Sequence, residues 1–230
     1  MGADHALLDV QGLSRAFDSP AGTVRAVEDV SFTARAGQLV CVHGASGSGK
    51  STLVNLLSGL LVPDAGQILV DSVSIGGATD AERSRLRLDT IGVVFQDVRL
   101  IEEFTVLENV ALPLEAKRVR HGEAFRRAAS ALDGVGLSGV LDRFPGTLSG
   151  GQCQRVGIAR ALVGGQRLLL ADEPTGALDP TTSREVFELF RALCGDGVLV
   201  VVCSHDPQAL EFADVAMEMS GGRLRIGVAG

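Results

Sequence analysis

The sequence predicts an α/β fold in which an all-helical insert interrupts the sheet. Three observations carry that expectation. Apolar runs of strand length recur at 38–43, 91–95, 167–172 and 198–204, and the last two have the hydrophobicity of parallel-sheet strands. Residues 7–13 and 26–34 alternate partially between apolar and polar, as half-buried antiparallel strands do. From about 98 to 160 strand character disappears, and Val106-Leu107, Val110-Ala111 and Leu114 recur at helical steps.

Each element follows in order. The run 38–43 opens into a glycine-rich loop, and 50–58 continues as a helix. Residues 59–66, containing Pro63-Asp64, read as a turn before a strand at 67–70. A short charged helix covers 80–88, the helical spacing continues through 122–135, and a helix at 180–194 separates the last two strands. The expected organisation is one domain over 1–230. Segments 1–95 and 165–230 build the sheet core with its antiparallel β subdomain, and 97–162 forms the helical lobe.

A chain of 230 residues, 46% hydrophobic, can bury a sizeable core as one domain with an inserted lobe. Its net charge of −7 argues against a broad nucleic-acid-binding face, which needs basic residues to neutralise phosphates. The short basic runs at 83–87 and 117–120 read as solvated helix faces. Cys41, Cys153, Cys194 and Cys203 form no C-x-x-C pair or spaced ligand set. Cys41 and Cys203 lie in apolar runs and read as small core residues, a pattern that fits a reducing compartment. Residues 1–5 lack a signal pattern, and no apolar stretch approaches the roughly 20 residues a membrane helix needs.

The chemistry concentrates in three places. Gly44-Ala45-Ser46-Gly47-Ser48-Gly49-Lys50-Ser51 is a complete G-x-x-x-x-G-K-[ST] loop lying between a strand and a helix, with Thr52 next in line. Residues without a Cβ let backbone N–H groups point at the β- and γ-phosphates, and the helix N-terminus adds positive potential. Lys50 supplies a mobile positive charge, and the Ser51 hydroxyl completes a Mg²⁺ shell. The strand 168–172 ends in Asp172-Glu173 before Pro174. Asp172 suits contact with Mg²⁺, and Glu173 stands where such nucleotidases place the group that polarises the attacking water. Finally, Leu148-Ser149-Gly150-Gly151-Gln152 sets a hydroxyl and glycine amides ahead of a helix, a second anion site.

With this order of motifs, the chain resembles the nucleotide-binding subunit of ATP-binding cassette (ABC) transporters, from about Leu7 to about Arg225. The resemblance implies a P-loop NTPase (RecA-like) core with an antiparallel β subdomain and an inserted α-helical subdomain. It also implies ATP and Mg²⁺ as cofactors, and two copies packed head to tail. Ser149 and Gly151, with Gly150 and Gln152, would then close over the partner's γ-phosphate. Gln96 matches the glutamine that senses Mg²⁺ and water and couples to the membrane subunit. His205, in Cys203-Ser204-His205-Asp206, matches the switch histidine that reaches the γ-phosphate. Asp179 matches the loop that speaks across the dimer. Phe17 is the candidate for the adenine-stacking aromatic, a place more often held by Tyr, which this chain lacks entirely. Gly176 stands where Ser is common, and Cys153 where Gln, Arg or Lys is usual.

The stretch from Val94-Phe95-Gln96-Asp97 to Leu114, with Asp172-Glu173-Pro174-Thr175-Gly176, is similar to the branch of lipoprotein-releasing, macrolide- or peptide-exporting and cell-division ATPases. The expected function is therefore an ATPase subunit, cytoplasmic and peripheral on the inner face of the membrane. It would energise a separate transmembrane permease, with export the expected direction. The alternative is a non-transporting ATPase that switches a partner such as a cell-wall hydrolase. ABC ATPases acting on nucleic acid need coiled coils, zinc modules or tandem cassettes, which this chain lacks. A GTPase would need an N-K-x-D motif, also missing.

Overall fold

Backbone pairing sorts the strands into two sheets. The computed structural model describes residues 6–20 and 22–227, so the reading of residues 1–5 lies outside it. In chain order the strands are β1 (Leu8–Ser19), β2 (Gly22–Ala34), β3 (Leu39–His43), β4 (Ala65–Val70), β5 (Val73–Ser74), β6 (Ile91–Phe95), β7 (Leu168–Asp172), β8 (Leu199–Ser204), β9 (Val215–Ser220) and β10 (Arg223–Gly227). The helices are α1 (Lys50–Leu57), α2 (Asp80–Asp89), α3 (Val106–Ala116), α4 (His121–Gly134), α5 (Gly150–Leu162), α6 (Pro180–Gly195) and α7 (Gln208–Phe212).

One sheet is antiparallel, in the order β2-β1-β4-β5. The other runs β10-β9-β3-β8-β7-β6, parallel throughout except for β10 against β9. The central parallel strands β3, β7 and β8 are buried on both faces, which is why they read as continuous apolar runs. Their successive residues still serve two different cores. Val40, Val42, Leu168, Leu170, Val201 and Cys203 face α1 and the antiparallel sheet. Leu39, Cys41, Leu169, Ala171, Val200 and Val202 face the other way, toward α3–α6. A one-residue slip in register would exchange the two sets. Helix α1 is caught between the sheets, with Leu53, Val54, Leu56 and Leu57 all fully buried. Each such side chain contributes about 1.5–3 kcal/mol of transfer free energy.

The hairpin β1–β2 is longer than its alternation announces. Pairing continues from Leu8↔Ala34 to Ser19↔Gly22, but bulges after Val10, Leu13 and Arg15 break the two-residue period. Helices α3, α4 and α5 form the insert, as the helical spacing predicts. Thr105 and Glu108 close a capping box at the start of α3. Asn109, fully buried, holds the preceding loop: it accepts from the Ile101 N–H at 2.8 Å and donates to the carbonyls of Ile101, Phe104 and Thr105.

The expectation that the basic runs are solvated faces holds for exposed Arg85, Arg118 and Arg120 and is corrected for the other three. Arg83 is mostly buried, donating to the Ala78 carbonyl and pairing with Asp80. Arg87 donates to the carbonyls of Ser58 and Gly59 at 3.4 and 3.2 Å. Lys117 pairs with Asp89 at 2.9 Å and reaches the carbonyls of Leu88 and Gly164. These long side chains satisfy buried carbonyls between elements, a use that charge counting cannot register.

Cys41 and Cys203 are core residues, as expected, and Cys194 joins them. Burial pushes the Cys41 thiol up to about 12, the Cys194 thiol to about 11, and Cys203 well above the usual thiol value. The thiolate is the reacting form. Brief iodoacetamide treatment at pH 8 is therefore expected to modify half-buried Cys153 first, and the other three only after unfolding. Mass spectrometry checks this; native-state labelling of Cys203 as fast as Cys153 would contradict the packing.

Candidate nucleotide-binding and hydrolysis site

The glycine loop joins β3 to α1 and opens a cavity of about 460 Å³. Gly49 occupies the N-cap position at φ 112°, where an L side chain is strained, and a Cβ there would overlap the Ala26 carbonyl oxygen. No side chain caps the helix, so its first N–H groups remain available to an anion. Ser46, Gly47, Ser48, Gly49, Lys50, Ser51 and Thr52 line this cavity, joined by Gln96 and Glu173. Gly44 and Ala45 line the adjoining hollow with His205 instead.

Lys50 is only 5% exposed, and its ammonium is shared among three acceptors. Nζ donates to the carbonyls of Gly44 and Ala45 at 2.8 and 3.2 Å and lies 3.1 Å from Glu173 Oε1. The other carboxylate oxygen of Glu173 accepts from His205 twice, from Nδ1 at 2.8 Å and from the backbone N–H at 3.2 Å. Glu173 thus bridges lysine and histidine. Its backbone sits at φ 48°, the left-handed region, an unusual conformation for a residue with a side chain. Two hydrogen bonds hold it there: its N–H donates to the Cys203 carbonyl at 2.8 Å, and its own carbonyl accepts from the Gly176 N–H at 3.1 Å.

Asp172 ends β7 beside Phe95 of β6 and Cys203 of β8. Burial pushes its carboxyl above the usual carboxylate range, opposed by a hydrogen bond from Ser51. Asp172 Oδ1 is buried without a hydrogen-bond partner, and so is Ser48 Oγ. A buried acceptor left open next to the Ser51 hydroxyl suits a hard cation that takes oxygen ligands, so these residues fit Mg²⁺.

Gln96 lies just past β6. Its side-chain amide packs against Gly176, where a Cβ would come within 3.1 Å of it. The glycine in place of the commoner serine therefore leaves room for Gln96.

The Ser149–Gln152 segment lies apart from this cavity, since none of it appears in the lining. Ser149 is the N-cap of α5 in a reciprocal box: its Oγ accepts from the Gln152 N–H at 3.3 Å, and Gln152 Oε1 accepts from the Ser149 N–H at 3.0 Å. Gly151 is close-packed on α6, because a Cβ would overlap Thr182 Cγ2. Asp179, assigned to cross-dimer contact, caps α6, accepting from the N–H groups of Thr181 and Thr182 at 3.0 Å and from the Thr182 hydroxyl. The Thr182 hydrogen bonds hold its carboxyl below the usual range.

Phe17 does not line the phosphate cavity. It is 40% exposed on β1 opposite Val24, and the Arg15 guanidinium covers its ring at 5.0 Å. The rim toward it is made instead by Val24, Arg25 and Ala26 of β2 and by Gly221 and Gly222 of the β9–β10 turn. Sequence reading missed that turn. The Gly222 N–H donates to the Ser48 carbonyl at 3.0 Å, and the Gly222 carbonyl accepts from the Glu28 N–H at 2.8 Å, tying the glycine loop to β2. Gly221-Gly222 between two short alternating runs is a hairpin signal that could have revealed it.

Comparison with known proteins agrees with this geometry. Residues 27–176 match the ABC_tran family, described as ABC transporter. The lipoprotein-releasing system ATP-binding protein LolD of Bordetella avium is 40% identical over 220 residues, covering 95% of this chain and 96% of LolD. The ABC transporter ATP-binding protein YtrE of Bacillus subtilis is 37% identical over 227 residues, covering 96% and 98% of the two chains. Among solved structures, the dimeric ATP-binding cassette MJ0796 bound to ADP and Pi superposes with a TM-score of 0.89 at 34% identity, covering 97% of this chain and 99% of that one. Among the described residues no helix is long and apolar enough to cross a membrane. A phosphate loop after β3, two acids at the end of β7 in the same sheet and a capped helix α5 on one α/β scaffold agree with these matches, and the chain belongs to the ABC transporter family as an ATP-binding, ATP-hydrolysing subunit.

Proposed function

We propose that this chain energises a separate transmembrane permease, in the export direction, by clamping ATP between two copies of itself. The observation that carries this reading is the split of anion-binding elements. The phosphate loop opens one cavity, while the Ser149 helix start lies outside it, which supports a Ser149 that reaches the nucleotide from a second copy. The dimeric state of MJ0796 and the lipoprotein-releasing role in the name of LolD support it. On this reading residues 97–162 act as a lobe moving against the sheet core, and the chain sits peripherally on the inner face of the membrane. No nucleic acid takes part.

The residues then divide the work. Ser46–Ser51 amides and Lys50 bind the phosphates, with Lys50 leaving the Gly44 and Ala45 carbonyls and Glu173 as the triphosphate enters. Ser51, Asp172 and Gln96 would hold Mg²⁺, which supplies positive charge to the β- and γ-phosphates when bound. Released from Lys50, Glu173 accepts the proton of the water that attacks the γ-phosphorus, while ADP leaves. His205 leaves its hydrogen bond to Glu173 as Lys50 does and donates that ring N–H to the γ-phosphate. The partner's Ser149 hydroxyl and the Gly150 and Gly151 amides stabilise the charge on the transferring phosphoryl.

Phe17 stacks adenine on the ring face that Arg15 leaves open. Phe17→Ala is expected to raise KM for ATP by about three- to ten-fold with kcat nearly unchanged, the effect of losing one aromatic contact. Steady-state kinetics check this, and an unchanged KM would remove Phe17 from the site. The function itself is tested by co-purifying the chain with its membrane partner in liposomes. ATPase that is cooperative in ATP and stimulated by the transported ligand is expected. Hydrolysis strictly first-order in monomer and indifferent to the permease would contradict the reading.

A further inference from the structure

Arg160 stands in the last turn of α5, far along the helix from Ser149, and its role is not explained by nucleotide contact. Its guanidinium forks onto two consecutive carbonyls of the segment after β6. Nη2 donates to the Val98 carbonyl at 2.5 Å and Nη1 to the Arg99 carbonyl at 3.1 Å. Arg160 is half-buried, and those two carbonyls replace part of the water around its guanidinium. Arg99 adopts φ 47°, a left-handed conformation that a residue with a side chain keeps only when its surroundings enforce it.

One turn earlier on the same helix face, Gly157 lies so close to Val98 that a Cβ would overlap Val98 Cγ1. Gly150, Cys153 and Gln154 continue this face at helical spacing and line a groove with Gln96, Asp97 and Val98. Gln96 lines both this groove and the phosphate cavity. A short, doubly anchored segment thus runs from the nucleotide cavity to α5. The anchor and the Ser149 helix start are separated by eleven residues of one helix, roughly 16 Å of rigid rod.

We propose that Arg160, with the Gly157–Val98 contact, is a positioning device that locks Gln96–Arg99 to α5, so that Gln96 and the Ser149 helix start move as one body. The arrangement sets where Ser149 arrives at the partner's nucleotide once Gln96 has responded to its own. Arg160 touches no substrate and acts through Gln96 and Ser149. The inference rests on the two-copy reading of the preceding subsection.

The test uses the full complex with its membrane partner. Arg160→Gln keeps length and some hydrogen bonding but loses the charged fork. It is expected to leave the Kd of the chain for ATP within about two-fold and KM little changed, while kcat falls about ten- to a hundred-fold, the size of effect that small misplacements produce. Arg160→Lys, which can serve one carbonyl at a time, should recover part of the loss. Gly157→Ala should lower kcat in the same way, and adding Val98→Ala, which removes the overlapping methyls, should restore it. Should Arg160→Gln fail to fold, the Gly157→Ala and Gly157→Ala/Val98→Ala pair decides the matter. Unchanged kcat in folded Arg160→Gln, no loss in Gly157→Ala, or parallel loss of ATP affinity and kcat would overturn the proposal. A control separates it from the two-copy reading: ATP should drive a Glu173→Gln chain into dimers on size exclusion. If no dimer forms, the two-copy reading falls and this inference with it; a dimer with unaltered Arg160→Gln kcat overturns this inference alone.

Discussion

Replacing Glu173 with Gln is expected to lower the kcat of the assembled complex by about two to four orders of magnitude, the range for losing a positioned general base. The ATP-bound pair of subunits should accumulate at the same time. The amide has nearly the shape of the carboxylate, so the backbone anchors to Cys203 and Gly176 and the left-handed turn at residue 173 are undisturbed. What disappears is the charge and the ability to take a proton from water. Without Glu173 as counter-ion, the Lys50 ammonium keeps only the Gly44 and Ala45 carbonyls, and an incoming triphosphate becomes its strongest partner. Binding should therefore tighten while chemistry stops. Single-turnover phosphate release together with size exclusion in ATP checks both halves. Wild-type turnover in the variant would remove Glu173 from its place in the mechanism.

The strands that carry the site were legible because they are short, apolar and parallel, and a strand–loop–helix context surrounds the phosphate motif. Ile91–Phe95 is an example: five apolar residues bounded by Thr90 and Gln96, with no rival reading. The β9–β10 hairpin was harder. Val215–Ser220 alternates, but β10 is mostly exposed and carries three charges or glycine among five residues, so hydrophobicity alone does not mark it. Its Gly222 nonetheless ties the phosphate loop in place.

Motif reading proposed functional roles for residues that also hold the fold. Ser149 and Asp179 were legible as parts of functional loops, yet each caps a helix through its own side chain. Capping is a local rule that could have been read from Ser149-x-x-Gln152; the functional pattern overlay it. Arg160, Arg87 and Lys117 mark the opposite limit. Their partners are backbone carbonyls tens of residues away, at Val98, Ser58 and Leu88, and no spacing along the chain encodes such contacts.

The capping role of Ser149 determines how the central claim should be tested. Removing the hydroxyl would also remove the N-cap, costing about 1 kcal/mol of helix stability and blurring the result. Aspartate caps a helix as well as serine does, so Ser149→Asp keeps α5 anchored while setting a negative charge against the partner's γ-phosphate. In complexes where every copy carries Ser149→Asp, each chain should still melt normally and bind ATP in its own phosphate loop. Hydrolysis should nevertheless fall by about a hundred-fold or more, because like charges meet at the transferring phosphoryl. The decisive measurement is the ATPase rate of that uniformly substituted complex. Near-complete loss with intact ATP binding is the result predicted here, and a normal rate would contradict an active site shared between two copies.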